Sequence, residues 1–179
     1  AYCLTEPDAG SDANAGKTKA RLSEDKKSYL LNGQKMWISN AGFADLFIVF
    51  AKIEDDKYLS AFIVEKEFGG ITMNPEEKKL GIKGSSTRQV FFNDCKVPVE
   101  NLLGERESGF KMALNILNIG RIKLGAATVG GSKLAMKRSI KYSNERKQFG
   151  TSIGSFGAIK HKLAEMATRT YACESAVYR

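Results

Sequence analysis

Over the first hundred residues, short apolar runs alternate with turn-forming residues, a pattern that predicts strands. Tyr2 to Thr5 reads as a short strand, cut off where Glu6-Pro7-Asp8-Ala9-Gly10 removes an N–H donor and invites positive φ. Ser28-Tyr29-Leu30-Leu31 and Gln34-Lys35-Met36-Trp37-Ile38 flank Asn32-Gly33, a dipeptide that favours a two-residue hairpin turn. Leu46 to Ala51 is a continuous apolar run suited to a buried strand, and Ala61 to Val64 pairs with it across the charged turn Glu54-Asp55-Asp56-Lys57. Gln89 to Phe92 supplies a further strand. Strands this short and closely spaced predict an antiparallel barrel or sandwich.

From about Ser108 the period changes to 3.6, with Phe110, Ala113, Leu114, Leu117, Arg121 and Leu124 within reach of one face. This predicts a long helix to about Asn144, tolerating Gly125, Gly130 and Gly131, each costing roughly 1 kcal/mol against Ala, where small residues permit close packing. After a turn at Phe149-Gly150-Thr151-Ser152, a second helix from about Ser155 carries Ile159, Leu163, Met166 and Thr170 at helical spacing. Two helices alone leave apolar surface uncovered, so the pair reads as part of a four-helix bundle. The fold class is therefore α+β by segments: a β domain over residues 1–105 and the first helices of a bundle over 106–179.

Composition is that of an ordinary globular chain, 42% hydrophobic and 27% charged. No run approaches the roughly 18 to 20 apolar residues of a membrane span, and no secretory signal opens the sequence. Cys3, Cys95 and Cys173 are odd in number and far apart, which argues against a disulfide framework or a metal site and suggests a reducing compartment. The opening at Ala1 without Met and the close inside a helical pattern suggest an excised fragment. The net charge of +8 is unevenly divided: residues 1–105 hold 14 Lys/Arg and 16 Asp/Glu, a net −2, and residues 106–179 hold 14 and 4, a net +10. Such a field attracts polyanions, whether a phosphate-bearing ligand, a nucleic acid or an acidic protein.

The candidate chemistry concentrates in Tyr2-Cys3-Leu4-Thr5-Glu6-Pro7-Asp8-Ala9-Gly10-Ser11-Asp12, an apolar start running into a turn with free backbone amides, suited to phosphate oxygens or simply to a capped loop. Trp37 and Ser39, two apart on a strand, share a face, while Met36 and Ile38 take the other. An indole on a strand suits a core as well as the wall of a ligand site. Asn118 and Arg121, three apart, share a helical face. His161 has no Ser or Cys constellation beside it and reads as structural.

The Tyr2–Asp12 segment resembles the signature of the acyl-CoA dehydrogenases, in which it lies along FAD and the acyl-CoA thioester. Lys35-Met36-Trp37-Ile38-Ser39-Asn40 resembles the family's second flavin-contacting strand, and Arg146-Lys147-Gln148-Phe149-Gly150 its later FAD-binding turn. Phe68-Gly69-Gly70-Ile71-Thr72 and Leu117-Asn118-Ile119-Gly120-Arg121 look most like the very-long-chain branch. The resemblance implies FAD contacts at Tyr2, Thr5, Gly10, Ser11, Trp37, Ile38, Ser39, Arg146, Gln148 and Phe149, with Arg146 and Gln148 reaching an FAD held by a neighbouring subunit. It implies acyl-CoA contacts at Ser11, Asn118 and Arg121.

The reaction so implied removes a proton α to the thioester while the β-hydride passes to flavin N5, giving a 2,3-enoyl-CoA, with long-chain substrates expected. It needs a carboxylate base. In most family members that residue lies downstream of the position matching Arg179; in a minority it precedes the arginine matching Arg121, where this chain has Gly120. Glu6, Asp8 and Asp12 take loop-shaping roles in the resemblance, so the 179 residues alone are expected to lack the base. An electron-transferring flavoprotein as acceptor, a homodimer or homotetramer, and a location in bacterial cytoplasm or the mitochondrial matrix are further implications. An acyl-CoA oxidase, or a non-catalytic DNA-binding member of the fold, is the alternative. Nucleic acid is not expected as a partner, because no aromatic residues interleave the basic ones.

Overall fold

A computed structural model describes residues 1–179. The chain forms two compact units, Ala1–Asn115 and Ile116–Arg179. The first unit contains β1 (Tyr2–Cys3), β2 (Lys19–Leu22), β3 (Ser28–Ser39), β4 (Leu46–Ile53), β5 (Ser60–Glu65), β6 (Ile71–Met73), β7 (Thr87–Pro98) and β8 (Leu102–Leu103). They make one eight-stranded sheet in the order β6-β7-β3-β2-β4-β5-β8, with β1 added to β4. The antiparallel pairings dominate, as the alternation predicts, but β1 and β2 both run parallel to β4.

The run Leu46–Ala51 lies in β4, and β5 pairs with it as expected, antiparallel, with Phe47 opposite Val64 and Phe50 opposite Ala61. Phe47, Val49, Phe62, Val64, Val90 and Phe92 form the core, at 0–1% exposure. A second cluster gathers Phe50, Leu59, Ala61 and Ala113. Ala113 belongs to α1 (Gly109–Glu145), whose first turns therefore pack with the β unit. The amide of Gly109 donates to Leu59 O at 2.8 Å, pinning the helix start to the sheet.

The hairpin expected at Asn32-Gly33 does not form. β3 runs straight through it, and the chain reverses instead between β2 and β3, where Leu22 pairs with Tyr29. Two contacts with residues distant in sequence overrule the turn preference. Gly33 (φ +154°) lies so close to the neighbouring strand that a Cβ there would sit 2.7 Å from Thr18 Cα. Asn32 is locked by Asp94, donating to Oδ1 at 2.8 Å and accepting the Asp94 amide at 2.9 Å, across a shift in the β3–β7 register.

The second unit is an antiparallel helix pair, the body of α1 and α2 (Gly157–Val177), joined by a small hairpin of β9 (Lys147–Gln148) and β10 (Thr151–Ser152). Phe149 (φ 53°) and Gly150 (φ 78°) turn that hairpin with positive φ at both central positions. Thr170 is buried and Ile159, Leu163 and Met166 are half-buried, as their spacing predicts. Of the glycines Gly125, Gly130 and Gly131 in α1, Gly125 faces α2, where an added Cβ would lie 3.5 Å from Val177 Cγ2, whereas Gly130 and Gly131 face open space. Ile116, Leu117, Ile119, Ile122 and Leu124 remain exposed. No helix is long and apolar enough to cross a membrane, and all three cysteines are free thiols.

Candidate functional site

Two stretches separated in sequence meet at the end of β1. The amide of Met36 on β3 donates to the carbonyl of Thr5 at 2.8 Å, so the segment that follows β1 meets β3 next to Trp37. The register of β3 against β7 slips between Lys35 and Ile38, and Trp37 sits in this bulge at φ 59°. A bulge inserts one residue and re-aims its neighbours. Lys35 and Ile38, three apart, are both buried, while Trp37 stands 55% exposed and Ser39 is exposed beyond it. The surface thus offers a flat apolar ring and a hydroxyl on either side of a buried isoleucine.

The other predicted residues differ in what they can offer. The Ile38 side chain is sealed in the core at 2% exposure, so its reach toward a ligand is confined to the main chain. Tyr2 stacks edge-on to Phe50, with ring centroids 5.1 Å apart, and its hydroxyl donates to Ala113 O at 3.3 Å; burial raises the pKa of that hydroxyl. Thr5 is half-buried. Gly10 and Ser11 are exposed, and nothing lies within 4 Å of where a Gly10 Cβ would be, so the backbone there is open to approach.

In the second unit, Arg121 Nη1 donates to Asn118 Oδ1 at 2.7 Å, which places amide and guanidinium together on an exposed helical face. Gly120 beside them meets only open space. Arg146, Gln148 and Phe149 are exposed around the β9–β10 hairpin, Phe149 with its ring centroid 6.2 Å from that of Phe156. His161 is exposed on α2.

A buried ion pair is the feature that sequence reasoning missed. Lys35 is fully buried, and its Nζ donates to Glu6 Oε1 at 2.7 Å, Phe50 O at 2.6 Å and Leu4 O at 3.2 Å. Glu6 also accepts the amides of Lys17 at 2.5 Å and Thr18 at 3.1 Å. Burial pushes the Glu6 carboxyl up, but the charge and hydrogen bond of Lys35, with its other donors, hold it below its ordinary value. Burial pulls the Lys35 ammonium down, against the opposing charge of Glu6. Every donor and acceptor of the pair is engaged, which is the condition under which buried charges persist. The available signal was a lysine in phase with the buried Leu31 on the same strand.

Fitness for a flavin can be judged on these residues. A flavin needs an apolar wall, neutral donors at the ring edge and amide contacts for its pyrophosphate. Exposed Trp37, the Ser39 hydroxyl and the open backbone at Gly10 and Ser11 match those needs within one unit.

Two family models match the chain, "Acyl-CoA dehydrogenase, middle domain" over residues 1–95 and "Acyl-CoA dehydrogenase, C-terminal domain" over residues 107–179. Among curated relatives, a probable acyl-CoA dehydrogenase of Bacillus subtilis is 54% identical over 179 residues, 100% of this chain and 30% of its own length. The human mitochondrial very long-chain specific acyl-CoA dehydrogenase is 48% identical over 186 residues, 99% of this chain and 28% of its own length. The crystal structure of an acyl-CoA dehydrogenase complexed with FAD from Bacillus anthracis superposes with a TM-score of 0.92 at 56% identity, over 99% of this chain and 31% of that one. The chain thus spans about a third or less of the length of these proteins.

Proposed function

This chain belongs to the acyl-CoA dehydrogenase family, and on that premise we propose that it forms the middle β domain (residues 1–105) and first bundle helices (106–179) of an FAD-dependent enzyme that α,β-dehydrogenates fatty acyl-CoA thioesters. The observation that carries the reading is the Met36–Thr5 hydrogen bond, which joins the strand bearing the exposed Trp37 indole and Ser39 hydroxyl to the segment that leads on to the open Gly10–Ser11 backbone. FAD, when bound, would supply the hydride-accepting ring. Trp37 walls that ring, Ser39 donates at its edge, and Thr5 with the Gly10–Ser11 amides holds the rest of the cofactor. The main chain at Ile38 and the ring of Tyr2 shape the floor. Arg146, Gln148 and Phe149 present a second contact surface, for an FAD bound by a neighbouring subunit in a homodimer or homotetramer.

Asn118 and Arg121 bind the CoA moiety as one amide–guanidinium unit, with Ser11 also lining the substrate. The proton α to the thioester goes to a carboxylate outside residues 1–179. Glu6 is unsuited to that task, being consumed by Lys35 and two amides; Asp8 pairs with Lys17 at 2.7 Å. The similarity to a very long-chain specific enzyme supports a long-chain substrate. An electron-transferring flavoprotein is the proposed acceptor, and bacterial cytoplasm or the mitochondrial matrix the proposed location.

Turnover of the full-length protein with saturated acyl-CoAs of graded length, with a dye and then with dioxygen as acceptor, tests this reading. It predicts dye reduction rising toward long chains and little peroxide. Peroxide formation as the main route would make it an oxidase, and no turnover with any acyl-CoA would remove the assignment.

A further inference from the structure

β1 and β2 lie end to end along one edge of β4, pairing with it at Tyr2↔Ile48 and Cys3↔Val49 and then at Lys19↔Lys52 and Ala20↔Ile53. Between them residues 7–17 leave the sheet as a loop, and Lys35 and Glu6 bridge the gap. The Lys35 ammonium gathers the carbonyls of Leu4, near the end of β1, and Phe50, in the middle of β4. Glu6 gathers the amides of Lys17 and Thr18, where β2 is about to begin. The remaining hydrogen bonds of the loop are local: Glu6 with Ala9, Ala15 to Asp12, Gly16 to Ala13, and Lys17 to an exposed Asp8.

Lys35 also sits at the foot of the bulge. With Lys35 and Ile38 both buried, the two residues between them must take up the extra length, and Trp37 does so at φ 59°. A large aromatic residue holds that conformation only where the surroundings over-determine it.

We propose that the Lys35–Glu6 ion pair is a positioning device, tying the residue 7–17 loop and the Trp37–Ser39 bulge into one cofactor-facing surface. This rests on the reading above that Trp37 and Ser39 face the flavin. An apolar pair of similar volume could fill the same space, often without loss of stability. It could not hold two carbonyls and two amides in register at once.

The test uses the full-length holoenzyme. Lys35→Met and Glu6→Leu are made singly and together, and thermal midpoint, FAD affinity and the position of the flavin absorption band are measured. Each single variant leaves a buried charge unpaired and is expected to lose thermal stability. The double variant is expected to recover much of the midpoint yet bind FAD at least ten-fold more weakly than the wild type, with a displaced flavin band. A double variant with restored stability, wild-type FAD affinity and an unmoved band would overturn the proposal, leaving the pair a purely structural element.

Should the double variant not fold, Glu6→Gln keeps the side chain's shape and an acceptor while removing its charge. A several-fold loss of FAD affinity is expected there, and unchanged affinity and spectrum would overturn the proposal. Trp37→Ala and Ser39→Ala, which leave the ion pair intact, separate this from the functional reading. If neither moves FAD affinity or spectrum, the reading falls and the proposal with it. If they do and the ion-pair variants do not, the proposal alone fails.

Discussion

Trp37 and Ile38 are neighbours on one strand with opposite fates: the indole is 55% exposed in a positive-φ bulge and the isoleucine is 2% exposed in the core. Their substitutions should therefore separate function from stability. Ile38→Ala empties a packed site and is expected to cost about 2–5 kcal/mol in chemical denaturation. Trp37→Ala should change stability by roughly 0.5 kcal/mol or less, while weakening FAD binding and dye reduction. Equal losses of stability in the two variants would contradict this division.

Gly33→Ala tests why β3 does not turn. The new Cβ would meet Thr18 Oγ1 at 2.5 Å and Thr18 Cα at 2.7 Å, and backbone must shift to relieve it. Such overpacking is expected to cost about 1–3 kcal/mol, seen as a lowered unfolding midpoint. A variant as stable as the wild type would show that the two strands can separate freely there.

Arg121→Ala should raise KM for acyl-CoA more than it lowers kcat, because a contact remote from the reacting carbons is mostly uniform binding. A charged hydrogen bond contributes roughly 1.5–3 kcal/mol, or about 10- to 150-fold. Asn118→Ala should act in the same direction, since Asn118 orients the guanidinium through its 2.7 Å bond. An unchanged KM in Arg121→Ala would sink the CoA assignment.

The loop between β6 and β7 carries a pH dependence of its own. Glu76 accepts from Arg88 Nε and Ser86 Oγ at 2.7 Å each and from the Thr87 amide at 2.8 Å, and these donors depress its carboxyl from 4.5 to about 2. A carboxylate with a lowered folded pKa contributes its stabilisation fully above the ordinary value of 4.5 and loses it as pH falls toward about 2. Amide exchange at Thr87, corrected for its intrinsic pH dependence, should accelerate across that window in the wild type, and Glu76→Gln should be fast already at neutral pH. A wild-type amide equally protected at both ends of the window would show that Glu76 does not hold the loop.

Much of this was legible in the sequence because period and burial agree. The β4 and β5 runs, the helix onset near Ser108 and the second helix near Ser155 lie where apolar spacing puts them. Asn32-Gly33 misleads because a local turn preference yields to contacts with Thr18 and Asp94, both distant in sequence. The parallel pairings of β1 and β2 with β4 carry no signature in alternation. Nor does the bulge at Trp37, which arises from burying Lys35 and Ile38 together. The Lys35–Glu6 pair is invisible for the same reason, since a buried lysine is recognised only once its partners are in place.

The measurement that bears most directly on the account is the anaerobic addition of a long-chain acyl-CoA to the purified full-length protein, followed by visible absorption. The account predicts a yellow protein with one FAD per chain whose flavin band bleaches on adding the thioester, and bleaches far less in Trp37→Ala. A colourless protein that takes up no FAD, or a flavin band untouched by any acyl-CoA, would contradict it.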